Sequence, residues 1–110
     1  MSRAPAGDRI AYFVRTEKIK TLILQNVVTR KIERRIKLES VDAPESPDIS
    51  PDGREVAFAG LRGAIGDIFI VNLDSGEIRN VTNDTFGDYA PTYAPDGKSL
   101  LYLEIGRAHV

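Results

Sequence analysis

The segment 84–89 sets two carboxylates, Asp84 and Asp88, beside two aromatic rings, Phe86 and Tyr89, around a glycine. Carboxylates of this kind can hold a cation or a partner's basic group, while the rings supply apolar contact area. These four are therefore the candidate binding residues, with Asp42 and Glu45 at comparable places earlier in the chain. Oxygen ligands at the alternate positions of a dedicated cation loop are missing, so the acids read equally as solvated loop residues, and no metal or cofactor is expected. Phe86 and Tyr89 can instead pack inside. A second cluster, Arg30, Lys31, Arg34, Arg35 and Lys37, concentrates positive charge. It suits a nucleic-acid patch, an amphipathic helix through Ile32 and Ile36, or the outer strand of a sheet, where charge keeps an exposed edge from aggregating.

Catalytic constellations can be sought directly. The sequence has no Gly-x-Ser-x-Gly elbow, no His-Glu-x-x-His pair, no phosphate-binding loop and no dinucleotide fingerprint. His109 is the one histidine, without a nucleophile or metal ligands placed for it. No enzymatic activity is expected of this chain. With 15 basic and 16 acidic side chains its net charge is -1, so no global field draws it to nucleic acid. The longest apolar run, Ile68 to Val71, is far short of the roughly 20 residues that cross a bilayer, so membrane insertion is not expected. Without cysteine there are no disulfides, which suits cytoplasm and periplasm alike.

What must position the candidate residues is a repeat. Pro51, Asp52 and Gly53, leading into Val56, Ala57 and Phe58, recur as Pro95, Asp96 and Gly97, leading into Leu100, Leu101 and Tyr102. Pro5, Ala6 and Gly7, leading into Ile10, Ala11 and Tyr12, form a more worn copy. Thr21 to Asn26 corresponds in the same way to Asp67 to Asn72, Ile32 to Ile78, and Pro47 to Pro91. Each apolar stretch is short, rich in Ile, Val, Leu and aromatics, and bounded by Gly, Pro, Asp or Asn, which is the punctuation of strands. Unbroken apolar runs such as Ile68 to Val71 suit strands covered on both faces. One unit then holds four strands: near Asp48 to Ser50, Glu55 to Ala59, Asp67 to Leu73, and Glu77 to Thr82. The basic cluster falls on the outermost strand of the preceding unit.

The turns between strands are the second set of singled-out residues. Pro51, Asp52 and Gly53, with Pro95, Asp96 and Gly97, combine a preset φ, an aspartate that bonds its own backbone, and a glycine free to take positive φ. Asp74, Ser75 and Gly76 make a similar hairpin. All are read as structural.

Pro47-Asp48-Ile49-Ser50-Pro51-Asp52-Gly53, Val56-Ala57-Phe58, Asp67-Ile68-Phe69-Ile70 and Val81-Thr82 together resemble the TolB-type, WD-like propeller repeat. The family's tryptophan place holds Ile49 and Tyr93, and Ala6 replaces an aspartate. The resemblance implies an all-β fold, a fragment of a β-propeller. Residues 1–38 would be a partial blade of strands two to four, 39–90 a complete four-stranded antiparallel blade with its connections, and 91–104 the start of the next. It implies a non-catalytic scaffold that binds a protein or peptide, alongside the remaining blades of a parent chain. The alternative is the substrate-gating propeller of a larger prolyl oligopeptidase-like or tricorn-like peptidase. A bacterial periplasm or envelope location follows from resemblance alone, with cytoplasm still open.

Residues 105–110 break the repeat, and the codons ATC GGA AGA GCA CAC GTC, a common sequencing-adapter string, spell them. They are expected to be a non-native tail. Flanking blades that lack strands would leave apolar faces bare, so the isolated chain is expected to be marginally stable or to associate.

Overall fold

The computed structural model describes residues 2–3, 7–17, 19–82, 88–104 and 107–109, and every regular element among them is a strand. The first antiparallel sheet runs β1 (Ser2–Arg3), β2 (Arg9–Thr16), β3 (Ile19–Asn26) and β4 (Ile32–Lys37) in spatial order. The second runs β5 (Asp42–Ile49), β6 (Glu55–Arg62), β7 (Ile65–Asn72) and β8 (Ile78–Asn80). The third holds β9 (Asp88–Tyr93), β10 (Leu100–Glu104) and β11 (Arg107–His109), with β10 central.

Local chemistry accounts for the hairpins. Asn72 closes the β7–β8 turn, its Oδ1 accepting from the amides of Asp74 at 2.9 Å and Ser75 at 3.0 Å. Asn26 does the same between β3 and β4, accepting from Val28 and Thr29 at 2.9 Å each. Both turns then need a left-handed residue, and Gly76 supplies it at φ 78°. The corresponding residue in the first sheet is Arg30, at φ 65°. A side chain there carries a steric cost that glycine avoids, partly offset by glycine's greater entropy loss. Arg30→Gly is therefore expected to stabilise the chain by about 0.5–1 kcal/mol, raising the unfolding midpoint by roughly 2–5 °C. Thermal denaturation followed by circular dichroism checks this, and an unchanged or lower midpoint would count against it.

The core lies between the first two sheets. Ala11, Leu22, Leu24, Ile36 and Leu38 from one side meet Ile49, Val56, Phe58, Phe69 and Val71 from the other. Phe58, fully buried, sits edge-on to Phe13 at 5.4 Å between ring centroids and stacks on Phe69 at 5.6 Å. The sheets are therefore welded by aromatic contact as well as by aliphatic side chains. Gly60 lets the buried Val41 pass close to β6, because a Cβ at Gly60 would collide with the Val41 side chain.

Several boundaries differ from the sequence reading. The inner strand of the second sheet begins at Asp42, well before Asp48, and Ser50 belongs to the following turn. Its pairing with β6 shifts register between Asp42 and Glu45 and again between Glu45 and Asp48. Ala43 and Ser46 take positive φ there, so bulges carry β5 past Pro44 and Pro47, which would have stopped a regular strand. The amino-terminal sheet gains a short edge, Ser2↔Ala11 and Arg3↔Ile10, and so has four strands where three were read. Arg107–His109 pairs with β10 through Glu104↔Arg107, the same two-residue separation as Arg62↔Ile65. The segment read as a tail off the repeat thus includes a third strand.

Candidate functional site

Each sheet has two ends, and their chemistry differs. At one end lie the turns that follow β5 and β9. Ser50 Oγ donates to Asp52 Oδ1 at 2.6 Å, and the Arg54 amide donates to the same oxygen at 3.0 Å. Gly53 and Gly97 take φ of 75° and 73°. The later turn keeps the Lys98 amide on Asp96 Oδ1 at 2.9 Å but has Ala94 where Ser50 stands. This end is also where neighbouring sheets touch: Arg9 Nη1 donates to the Gly53 carbonyl at 3.2 Å, Arg34 Nη1 to the Asp74 carbonyl at 3.4 Å, and Pro51 lies against Gly97.

The Ser50 hydroxyl, then the Arg54 amide, hold the Asp52 carboxyl below its ordinary value of 3.8. A carboxyl whose folded value is depressed stabilises the fold fully above its unfolded value and loses that contribution as pH falls through the folded one. Because the carboxyl is solvated, Asp52→Asn should lower the midpoint at pH 7 by no more than about 2 °C, with the gap closing as the pH drops below about 4. Thermal melts at stepped pH test this; a gap that stays constant into strong acid would rule the linkage out.

At the opposite end lie the β2–β3 and β6–β7 hairpins and the connections between sheets. Asp84 and Phe86 lie outside the described residues. Asp88 and Tyr89 are the first two residues of β9, pairing with Glu104 and Leu103, so their backbones belong to a strand and not to the loop assigned from sequence. The reason is again a bulge. Ala90 takes φ 55° ahead of buried Pro91, just as Ser46 takes φ 54° ahead of buried Pro47.

At the same end, the start of β5 is described together with its neighbours in the first sheet. Asp42, Ala43 and Pro44 enter β5 beside Phe13, Val14 and Arg15 of β2 and Lys20 of β3. Two adjoining clefts of about 360 and 260 Å³ open among these residues, with Arg15, Lys20 and Ala43 common to both. Lys20 Nζ meets Asp42 Oδ1 at 3.0 Å across the two sheets, an ion pair with one solvated partner and so worth about 1 kcal/mol or less. Glu45, named from sequence alongside Asp42, is exposed on the same strand. Nothing in the spacing of Arg15 and Lys20 singled them out, because they reach Asp42 only through sheet stacking.

A buried carboxylate anchors Thr82, the residue at which the chain leaves the second sheet. Asp67 is fully buried, and its Oδ2 accepts from Arg62 Nε at 2.8 Å and Asn80 Nδ2 at 2.9 Å. Thr82 Oγ1 reaches Asp67 Oδ1 at 3.4 Å and accepts from the Ile68 amide at 3.1 Å. Asp67 therefore ties β6, β7, β8 and Thr82, just past β8, into one network. Between the second and third sheets, Tyr93 Oη donates to Glu55 Oε1 at 2.8 Å and the Tyr93 amide donates to Asp48 Oδ2 at 2.7 Å. Burial, reinforced by the Glu55 hydrogen bond and charge, pushes the Tyr93 hydroxyl far above its usual range, so it remains a neutral donor.

The first strands β1, β5 and β9 neighbour one another in series, and from them the first two sheets fan outward as four-strand meanders and the third as three described strands. Antiparallel sheets stacked radially in this way define a β-propeller. The TolB beta propeller domain matches residues 2–106, and the chain belongs to that family. It is 39% identical over 56 residues to an uncharacterized peptidase, YuxL, of Bacillus subtilis, covering 50% of this chain and 8% of that protein. It is 37% identical over 57 residues to the Tol-Pal system protein TolB of Hydrogenovibrio crunogenus, covering 52% and 13% respectively. The crystal structure of TolB from Acinetobacter baumannii shares the fold at a TM-score of 0.77 and 22% identity, over 96% of this chain and 26% of that one. The chain thus spans a small part of the length of these proteins.

Proposed function

We propose that this chain is part of a non-catalytic propeller scaffold that binds a protein or peptide at the end where the sheets are connected. The observation that carries this reading is the pair of clefts between β2, β3 and β5, which open at the end of the molecule where β8 ends and β9 begins. A loop on a rigid sheet stack is the place where a scaffold varies its contacts without disturbing its core. In this reading Asp84, Phe86, Asp88 and Tyr89 supply the contact, and the protein works in the periplasm or cell envelope, as the similarity to a Tol-Pal system protein suggests.

A random-peptide display library screened against the chain tests it. Enriched peptides should lose binding to a variant carrying Phe86→Ala and Tyr89→Ala, while keeping it when the opposite-end residue Lys98 is changed to Ala. Peptides indifferent to the aromatic pair, or no enrichment at all, would refute the assignment.

The similarity to a peptidase favours one second reading, in which the propeller gates a catalytic domain carried elsewhere on a longer chain. Either way, no peptidase or esterase turnover is expected from this chain, because the sequence offers no nucleophile-base arrangement. Turnover that survives purification and disappears on a single serine or aspartate substitution would contradict both readings.

A further inference from the structure

The outer edge of the first sheet is chemically unlike that of the second. β4 is the last strand of its sheet, and no strand among the described residues covers its far side. The turn before it and the strand itself carry Arg30, Lys31, Arg34, Arg35 and Lys37 against one acid, Glu33. That acid is already committed, since Glu33 Oε1 lies 3.0 Å from Arg9 Nε. Arg34 is turned toward the second sheet and the Asp74 carbonyl, and Ile36 is in the core. Strand alternation then places Arg35 and Lys37 together on the other face, both exposed, and no carboxylate pairs with them among the described residues.

The equivalent edge, β8, is an internal control. It spans only Ile78–Asn80, with the single cation Arg79, which lies 4.0 Å from Glu55. Positive charge is thus not a requirement of an outer strand in this fold. A long edge with open backbone donors and acceptors recruits another strand, and cations along it reject cationic strands while favouring acidic ones.

We propose that β4 is a second interaction surface, distinct from the connection end, which takes up an extended acidic peptide segment as an added antiparallel or parallel strand. Backbone ladder bonds provide the attachment, and acids opposite Arg35 and Lys37 provide the selection. Each exposed ion pair contributes little, so the binding is weak and salt-sensitive.

The test uses fluorescently labelled short peptides of alternating Glu and Thr, with a second peptide of equal charge in which the threonines are proline. Proline cannot donate to a ladder, so it separates strand addition from charge alone. The alternating peptide should bind the chain about tenfold more tightly than the proline peptide, and Arg35→Glu with Lys37→Glu should weaken it about tenfold. Amide shifts on titration should fall on β4 and spare β8. Should the charge-reversed chain fail to fold, Arg35→Gln with Lys37→Gln is expected to give a smaller loss in the same direction. Equal affinity for both peptides, tighter binding of duplex DNA of matched charge, or no binding at low salt would each overturn the proposal.

Discussion

Replacing Phe58 with alanine is expected to cost about 3–5 kcal/mol, a large share of the roughly 5–15 kcal/mol that keeps a domain folded. Phe58 is 0% exposed and is the ring that both Phe13 and Phe69 contact, so its removal opens a cavity shared by two sheets. The loss has three parts: the transfer free energy of the ring, the void that β-sheet neighbours cannot collapse to fill, and the two aromatic pairings. The unfolding midpoint should fall by roughly 12–20 °C. Phe58→Leu keeps most of the volume and should lose less than half as much. Because the cavity joins the sheets, Phe13→Ala in the Phe58→Ala background should add less than it does alone. Full additivity in that double-mutant cycle, or a midpoint shift of only a few degrees for Phe58→Ala, would show that the sheets do not depend on this ring.

Asp67→Ala should come next in size, at about 2–4 kcal/mol, and should act locally as well as globally. The carboxylate is 0% exposed, whereas the side chain of its cationic partner Arg62 is 47% exposed. Losing the acid therefore does not strand a buried guanidinium, which can turn to water, and the penalty stays below that of breaking a fully buried ion pair. What is lost is the Asn80 Nδ2 and Thr82 hydroxyl contacts to the carboxylate, which tie the end of β8 to β7. Asp67→Asn keeps the shape and one acceptor oxygen and should cost about half as much. The local signature is faster hydrogen exchange at Ile68 and Val81, whose amides depend on Thr82 and on the β7 carbonyl. If stability falls while exchange at those two amides does not change, Asp67 does not anchor Thr82.

How much of this was legible in the sequence depended on the range of the interactions involved. Pro51 to Gly53 and Pro95 to Gly97 announce their turns because φ restriction and φ freedom are properties of single residues. The unbroken apolar run Ile68 to Val71 announced a doubly covered strand, because its hydropathy pattern is local, and the repeat gave the order in which the sheets follow one another. The bulges at Ala43, Ser46 and Ala90 were not legible, since none of these residues is one that prefers positive φ. Arg30 was likewise hidden, because only the Asn26 turn in space shows that it stands in a glycine's position. The Lys20–Asp42 and Tyr93–Glu55 contacts bridge sheets across 22 and 38 residues, and no local pattern encodes them. Of the binding residues named from sequence, Asp88 and Tyr89 were misplaced into a loop because their bulge was unseen.

The paired bulges have an evolutionary consequence. From the left-handed turn residue to the buried inner-strand proline the chain takes 17 residues in the first unit, Arg30 to Pro47, and 15 in the second, Gly76 to Pro91. The hairpins at the other end keep their spacing, so this difference falls between Gly76 and Pro91, a span that holds β8 and the start of β9. A difference taken up outside the ladder leaves the pairing of β9, and so the face of every later side chain, unchanged, whereas a one-residue slip within the ladder would turn the strand inside out. Length differences can therefore be taken up between the outer strand of one sheet and the inner strand of the next while the stack behind them stays in phase.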